Sequence, residues 1–314
     1  METPGRVQAM RVLATGLNGF AGRHLGAALA EILPGAELVP LDCDLTDHAA
    51  VDAQVHSLRP DVCIHLAAIA AIGVANDDPD HAWRVNLHGT LALADALSRH
   101  TPDAAMIHVS SADIYGRSFA VGTPLDEAAL PAPINVYGAT KAAADLTLGA
   151  LPDPGRAGGL HVIRLRPFNH AGPGQSEHFA LPAFAQQIAR ISAGLQEPVL
   201  HVGNLDTERD FLDVRDVARA YALAIAQAHA LPNRIVLNLA SGVPRRIGTV
   251  LDALIAMAGL AIRIEPDPAR MRPSDIPRAI GNADLARATL GWAPRIAWPQ
   301  TLRDALDDWN GRVV

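Results

Sequence analysis

The stretch Arg11-Val12-Leu13-Ala14-Thr15-Gly16-Leu17-Asn18-Gly19-Phe20-Ala21-Gly22 decides how this chain is read. Residues 11–15 have the character of a short buried strand, and a helical pattern follows over about residues 21–33. Gly16 permits a tight turn, Gly19 lets backbone approach a pyrophosphate, and Gly22 lets the helix pack on the strand. The helix amino terminus offers N–H donors to phosphate oxygens. Glycine spacing alone is a weak signal, but a strand before and a helix after it are the context that dinucleotide binding requires.

The same alternation continues down the chain. Strands are predicted at residues 36–41, 62–67, 106–110 and 160–166, with helices at 49–58, 81–99 and 137–148. Strands alternating with helices of ten or more residues specify an α/β fold with a Rossmann-type, doubly wound parallel sheet. After Pro167 the pattern is less regular, with a helix at 179–194, a strand-like entry and helix over 209–228, and a terminal helix near 300–309. That half reads as a smaller, mixed α/β carboxy-terminal substrate lobe. The expected division is a flexible extension at 1–9 and a dinucleotide-binding domain at 10–166, with a return segment near 209–240. Residues 167–208 and 241–314 form the second lobe.

Asp42 and Asp44 stand where a carboxylate meets the adenosine ribose diol, about 20 residues past the turn. No arginine directly follows them, which tilts the reading to NAD(H). Arg23 could meet a 2′-phosphate from the first helix, so NADP(H) stays open. Asp44 or Thr46 also suits a helix cap.

Composition narrows the classes. The net charge is −7 and there is no basic stripe, which argues against nucleic acid. Two cysteines, Cys43 and Cys63, are too few for a disulfide framework or a zinc site, so no metal is expected. No apolar run approaches the roughly 18 residues of a membrane span. A cytoplasmic location follows as an expectation. Of the 26 basic residues only Lys141 is lysine. A chain that uses arginine for every other positive charge has kept one compact ammonium, which a guanidinium does not replace.

That lysine follows Tyr137 by four residues, on one face of a helix. A phenol near pKa 10 is a sluggish acid–base at neutral pH, and a nearby ammonium is expected to lower it. Tyr137 would then exchange a proton with a carbonyl or alcohol oxygen, and Ser111, after strand 106–110, would hydrogen-bond that oxygen.

Several motifs together resemble the extended short-chain dehydrogenase/reductase superfamily. They are Thr15-Gly16-x-x-Gly19-x-x-Gly22, His65-Leu66-Ala67-Ala68, Asn86-x-x-Gly89-Thr90, Ser110-Ser111 with Tyr115-Gly116, and Tyr137-x-x-x-Lys141. The resemblance implies a catalytic set of Ser111, Tyr137 and Lys141. It implies cofactor contacts at Thr15, Gly16, Asn18, Gly19, Phe20, Ala21, Gly22, Asp42, Asp44, Leu45, Leu66, Ala67, Ala68, Asn86 and Phe168, together with Tyr137 and Lys141. It also implies a nucleotide-sugar substrate and a homodimer through the helices at 81–99 and 137–148.

Arg166-Pro167-Phe168-Asn169-His170-Ala171-Gly172-Pro173-Gly174-Gln175 looks like the corresponding segment of GDP-6-deoxy-D-mannose reductases, as do 203–217 and Arg272-Pro273-Ser274-Asp275. This implies substrate contacts at Ser110, Asp113, Asn169, Gln187, Arg209, Arg272 and Asp275, on a GDP-linked 4-keto-6-deoxy sugar. Asn169, Arg209 and Arg272 would hold the diphosphate and Asp275 the nucleoside. His170 reads equally as a packed loop histidine. The related 4,6-dehydratases place a glutamate where this chain has Asp113 and a polar group where it has Ala112. The GDP-fucose type of epimerase/reductase uses a cysteine that is missing here. Reduction at C4 is therefore expected, with a C4 epimerase, a dehydratase or heptose variant, and a dinucleotide sensor as the alternatives.

Overall fold

The computed structural model describes residues 9–270 and 276–313; residues 1–8, Arg272 and Asp275 lie outside it. β1 (Arg11–Thr15), α1 (Gly22–Ile32), β2 (Glu37–Pro40), α2 (His48–Leu58) and β3 (Val62–His65) open the chain. α3 (Ile72–Asp77) and α4 (Pro79–Trp83) lead through a π-helix, Arg84–Gly89, into α5 (Thr90–His100). β4 (Ala105–Val109), α6 (Val136–Gly149), β5 (His161–Pro167), β6 (Asn169–Ala171) and α7 (Ala180–Ser192) follow. Next come β7 (Val199–Val202), β8 (Glu208–Asp213), α8 (Val214–Ala226) and β9 (Val236–Leu239). The chain finishes with β10 (Pro244–Arg246), α9 (Ile247–Ala258), β11 (Arg263–Pro266), β12 (Arg278–Ala279), α10 (Asp284–Leu290) and α11 (Trp298–Val313).

Six strands form one sheet in the order β2-β1-β3-β4-β5-β9, every pair parallel. Its strands are apolar along both faces because both are covered. Val12 and Ala14 pack with Leu25 of α1 and Val217 of α8, whereas Leu13 packs with Val51 of α2 and Leu93 of α5. From β1 the chain turns one way to β2 and the other way to β3. Ligands on such sheets sit in the crevice opened by that reversal, at the carboxyl ends of the strands. Register there places Thr15 beside His65, and His65 beside His108.

β3 ends at His65, earlier than expected, for a local reason. The next two amides, of Leu66 and Ala67, turn to donate to the Thr15 hydroxyl at 3.1 and 3.0 Å. The single helix expected over 81–99 is likewise three pieces. Its π-helical middle carries Asn86 fully buried, and such widened turns cluster at functional sites.

Beyond β5 a second core gathers Phe184 of α7, Leu251 of α9 and Leu306 of α11. Here β8 pairs antiparallel with β10 and parallel with β12 and β6, and β7 pairs with β11. α8 then returns to the first sheet beside α1.

α6 is tied to β5 by a buried charge cluster. Arg166 donates to both carboxylate oxygens of Asp145, at 3.0 and 2.8 Å, and Arg164 adds a third bond at 3.1 Å. Arg166 also donates to the Tyr115 hydroxyl, which donates to Asn238. Asp145→Ala would leave two guanidiniums without their carboxylate, at a cost of about 3–5 kcal/mol. A thermal melt should show a fall of about 5–8 °C; a midpoint equal to wild type would mean that the cluster does not hold α6.

Candidate active site

The glycine turn is built as its spacing demands. Gly16 has φ +72°, and a Cβ there would lie 2.7 Å from the Ala67 nitrogen, inside the loop that follows β3. A Cβ on Gly22 would lie 2.3 Å from the Gly16 carbonyl. The N-cap of α1, Ala21, makes no side-chain cap bond and the first turn carries no acid. Bare backbone at a helix amino terminus suits a diphosphate, through oriented amides and the helix dipole.

A cavity of about 690 Å³ opens from this turn. Its wall includes Gly16, Asn18, Gly19, Phe20, Ala21 and Gly22, with Leu66 and Ala68 beside them. Ser110, Ser111, Asp113, Tyr137 and Lys141 form the opposite wall, and Phe168, Asn169 and Arg209 close it towards the second lobe. These expected cofactor residues and the three expected catalytic residues line one space.

α6 delivers Tyr137 and Lys141. Its N-cap Asn135 accepts from the Gly138 amide at 2.7 Å. Gly138 lies so close to the turn after β4 that a Cβ would sit 2.8 Å from the Asp113 carbonyl. Any larger residue would lift the helix off that turn. The Lys141 ammonium donates to the Val109 carbonyl at the end of β4, and the Ser111 hydroxyl stands near enough to the Tyr137 phenol to favour its ionised form.

The electrostatics correct one expectation. Burial pushes the Tyr137 phenol above its ordinary value and the Asp113 carboxylate adds to this, against the Ser111 hydrogen bond. The phenol therefore holds its proton at neutral pH and is poised to donate it. The ammonium is the softened group: burial lowers Lys141 to about 8, opposed by Asp145. Burial also raises the Asp113 carboxyl, with Arg209 acting the other way.

Four expected cofactor contacts stand behind the wall. Thr15 braces the loop after β3, and Ala67 is part of that loop. Leu45 is buried against Gly89, and Asn86 bridges Ile69 and Thr140. Thr140 in turn donates to the Tyr137 carbonyl. Asp42 and Asp44 are exposed beyond β2. The Asp44 carboxylate accepts from the Thr46 amide and hydroxyl, both at 2.8 Å, while the cap of α2 is Asp47. Gln187 is a correction: its amide binds both the N–H and the C=O of His201 on β7, so it braces a strand. His170 stacks on Phe20 and bonds the Phe168 carbonyl. Phe179, Thr207 and Tyr221 also line the cavity, and no motif pointed to them.

Proton counting resolves the chain behind this wall. The Thr15 oxygen accepts two amides, so its one proton goes to His65 Nδ1, 2.7 Å away. At the other end Thr90 donates to the Asn86 carbonyl, so His65 Nε2 donates to Thr90 at 2.8 Å. Both ends require the same neutral tautomer, and burial holds His65 down at about 3.

Because Lys141 is the only lysine, ¹³Cε-lysine labelling yields one assigned NMR signal. It should titrate near pH 8; a midpoint near the ordinary 10.5 would contradict the burial described here.

Comparison with known proteins places this geometry. The family model described as GDP-mannose 4,6 dehydratase matches residues 33–305. GDP-6-deoxy-D-mannose reductase of Pseudomonas aeruginosa is 38% identical over 305 residues, 96% of this chain and 98% of that protein. The structure of RMD from Pseudomonas aeruginosa complexed with NADPH has a TM-score of 0.87 at 35% identity, covering 97% of this chain and 100% of that one. UDP-glucose 4-epimerase of Thermus thermophilus, complexed with NAD, has a TM-score of 0.82 at 29% identity, covering 96% and 99%. With its glycine turn, its paired tyrosine and lysine and this likeness along nearly its whole length, the chain belongs to the GDP-mannose 4,6-dehydratase family.

Proposed function

We propose that this protein reduces the C4 keto group of GDP-4-keto-6-deoxy-D-mannose to GDP-D-rhamnose, using NADPH or NADH. The observation that carries the reading is the convergence of Ser111, Tyr137 and Lys141 on the cavity that the glycine turn opens. Likeness to a GDP-6-deoxy-D-mannose reductase over 96% of the chain supports the substrate.

The bound nicotinamide supplies hydride to C4. The protein's own side chains manage the oxygen. Ser111 donates a hydrogen bond to the keto oxygen, and Tyr137 delivers the proton that turns it into a hydroxyl. The raised phenol suits that direction, since an acid that holds its proton at neutral pH is ready to protonate an alkoxide. Lys141, pinned to Val109, orients the pair and supplies positive charge. Asn169 and Arg209, on the wall towards the second lobe, are placed for the sugar diphosphate, where a guanidinium fork matches phosphate oxygens. Dehydration needs a further acid and base, and Ala112 offers neither.

A C4 epimerase would use the same three side chains, and the likeness to UDP-glucose 4-epimerase keeps that second reading alive. The two differ in whether the purified protein retains its dinucleotide, since only the reductase exchanges it each turnover. We further infer a cytoplasmic homodimer through α5 and α6, where Leu146 is half exposed. Among the described residues no helix is long and apolar enough to cross a membrane.

GDP-mannose supplied with a 4,6-dehydratase should drive loss of absorbance at 340 nm, with GDP-rhamnose identified by NMR. An untouched keto sugar would overturn the substrate. Tyr137→Phe should lower kcat by about 10²- to 10⁴-fold with the fold intact. The rate should fall as pH rises through about 8, where Lys141 loses its charge; a rate flat to pH 10 would remove the ammonium from the mechanism.

A further inference from the structure

The chain has three tyrosines, and two of them are accounted for. Tyr137 has the Ser111 hydroxyl beside it. Tyr115, buried behind the site, donates to Asn238 at 2.7 Å and accepts from Arg166 at 3.0 Å. Tyr221 is just as deeply buried, on α8, and it lines the same cavity as Tyr137. No hydrogen bond links its hydroxyl to another described residue, and it is not among the sealed polar atoms without a partner, so it opens on the cavity that Tyr221 lines.

Once a ligand fills the cavity and excludes water, a hydroxyl left there without a partner costs about 1–3 kcal/mol. Phenylalanine would supply the same apolar body without that cost. The hydroxyl is therefore matched to something that enters the cavity. Its surroundings say which side of the ligand it meets. Tyr221 packs in the cluster that holds Val12, Ala14 and Leu25, the strand and helix flanking the glycine turn. The second-lobe residues Phe184 and Leu251 belong to a different core. The phenol is also near enough to Tyr137 for the two to influence each other electrostatically. Tyr221 thus lines the cavity on the side of Tyr137 rather than at the exposed acids beyond β2.

We propose that the Tyr221 hydroxyl hydrogen-bonds the nicotinamide-ribose half of the bound dinucleotide, making it a cofactor-binding residue. The inference rests on the oxidoreductase reading above, and binding measurements separate the two. Wild type and Tyr221→Phe are titrated with NADH and NADPH by fluorescence, and with ADP and 2′,5′-ADP by calorimetry; thermal melts are run in parallel. The variant should bind the preferred dinucleotide about 5- to 10-fold more weakly, the loss of one hydrogen bond. Its affinity for the adenosine fragment and its melting temperature should be unchanged. Equal dinucleotide affinity would overturn the inference, as would a lowered melting temperature, which would reveal a partner within the protein. Equal weakening towards the adenosine fragment would place the contact at the wrong half. Failure of wild type itself to bind either dinucleotide would overturn the oxidoreductase reading, and the inference with it.

Discussion

An ammonium buried beside a sheet must have its charge answered by neighbouring groups, and in this protein Lys141 imposes that demand on the architecture around it. Its nitrogen gives up water and receives the Val109 carbonyl instead, so α6 must dock at one height against the end of β4. Asp145, one turn further along α6, opposes the loss of charge, but its oxygens are already held by Arg164 and Arg166. The ammonium is thus left only partly compensated, and its proton affinity falls. A guanidinium could not take this place: it is planar, branched and permanently charged. The one lysine in a chain rich in arginine has a physical reason.

Docking α6 is half of the task, since the glycine turn must face it across the cavity. The directed chain Thr15–His65–Thr90–Asn86–Thr140 spans that distance behind the wall. Every proton in it has one assignment. Movement of the turn after β1 is resisted through His65, through the π-helix and finally at the Tyr137 carbonyl, which Thr140 holds. Residues expected to touch the cofactor thereby serve it at one remove. Thr15 and Asn86 fix the geometry of groups that do line the cavity.

What could be read from residue order was what residue order encodes. The glycine turn with α1, and the Tyr137–Lys141 pair, are each contained in a few consecutive residues, and local geometry decides them. The central strands are continuous apolar runs and were visible for the same reason. In the second lobe β6, β10 and β12 were not, because each has three residues or fewer and partners distant in the chain. Asp210 on β8 accepts from the amides of Ser241, Gly242 and Gly281, a junction that no local pattern announces. Gln187 was a ligand contact by resemblance alone, and its amide is taken up by His201 of β7. Lowering of the phenol was expected from the ammonium alone; the burial that raises it instead depends on the whole fold. Tyr221 reads as core in an amphipathic helix, and only the shape of the cavity separates it from its neighbours.

In the proposed reaction hydride passes to C4 of the sugar while Tyr137 supplies the proton. The most direct measurement runs the reaction with cofactor doubly deuterated at C4 of the nicotinamide ring and locates the label in the purified sugar nucleotide by NMR. One deuterium per product molecule at C4 of the hexose is the predicted result. Product that forms with hydrogen at C4, or with deuterium at any other carbon, would contradict the account.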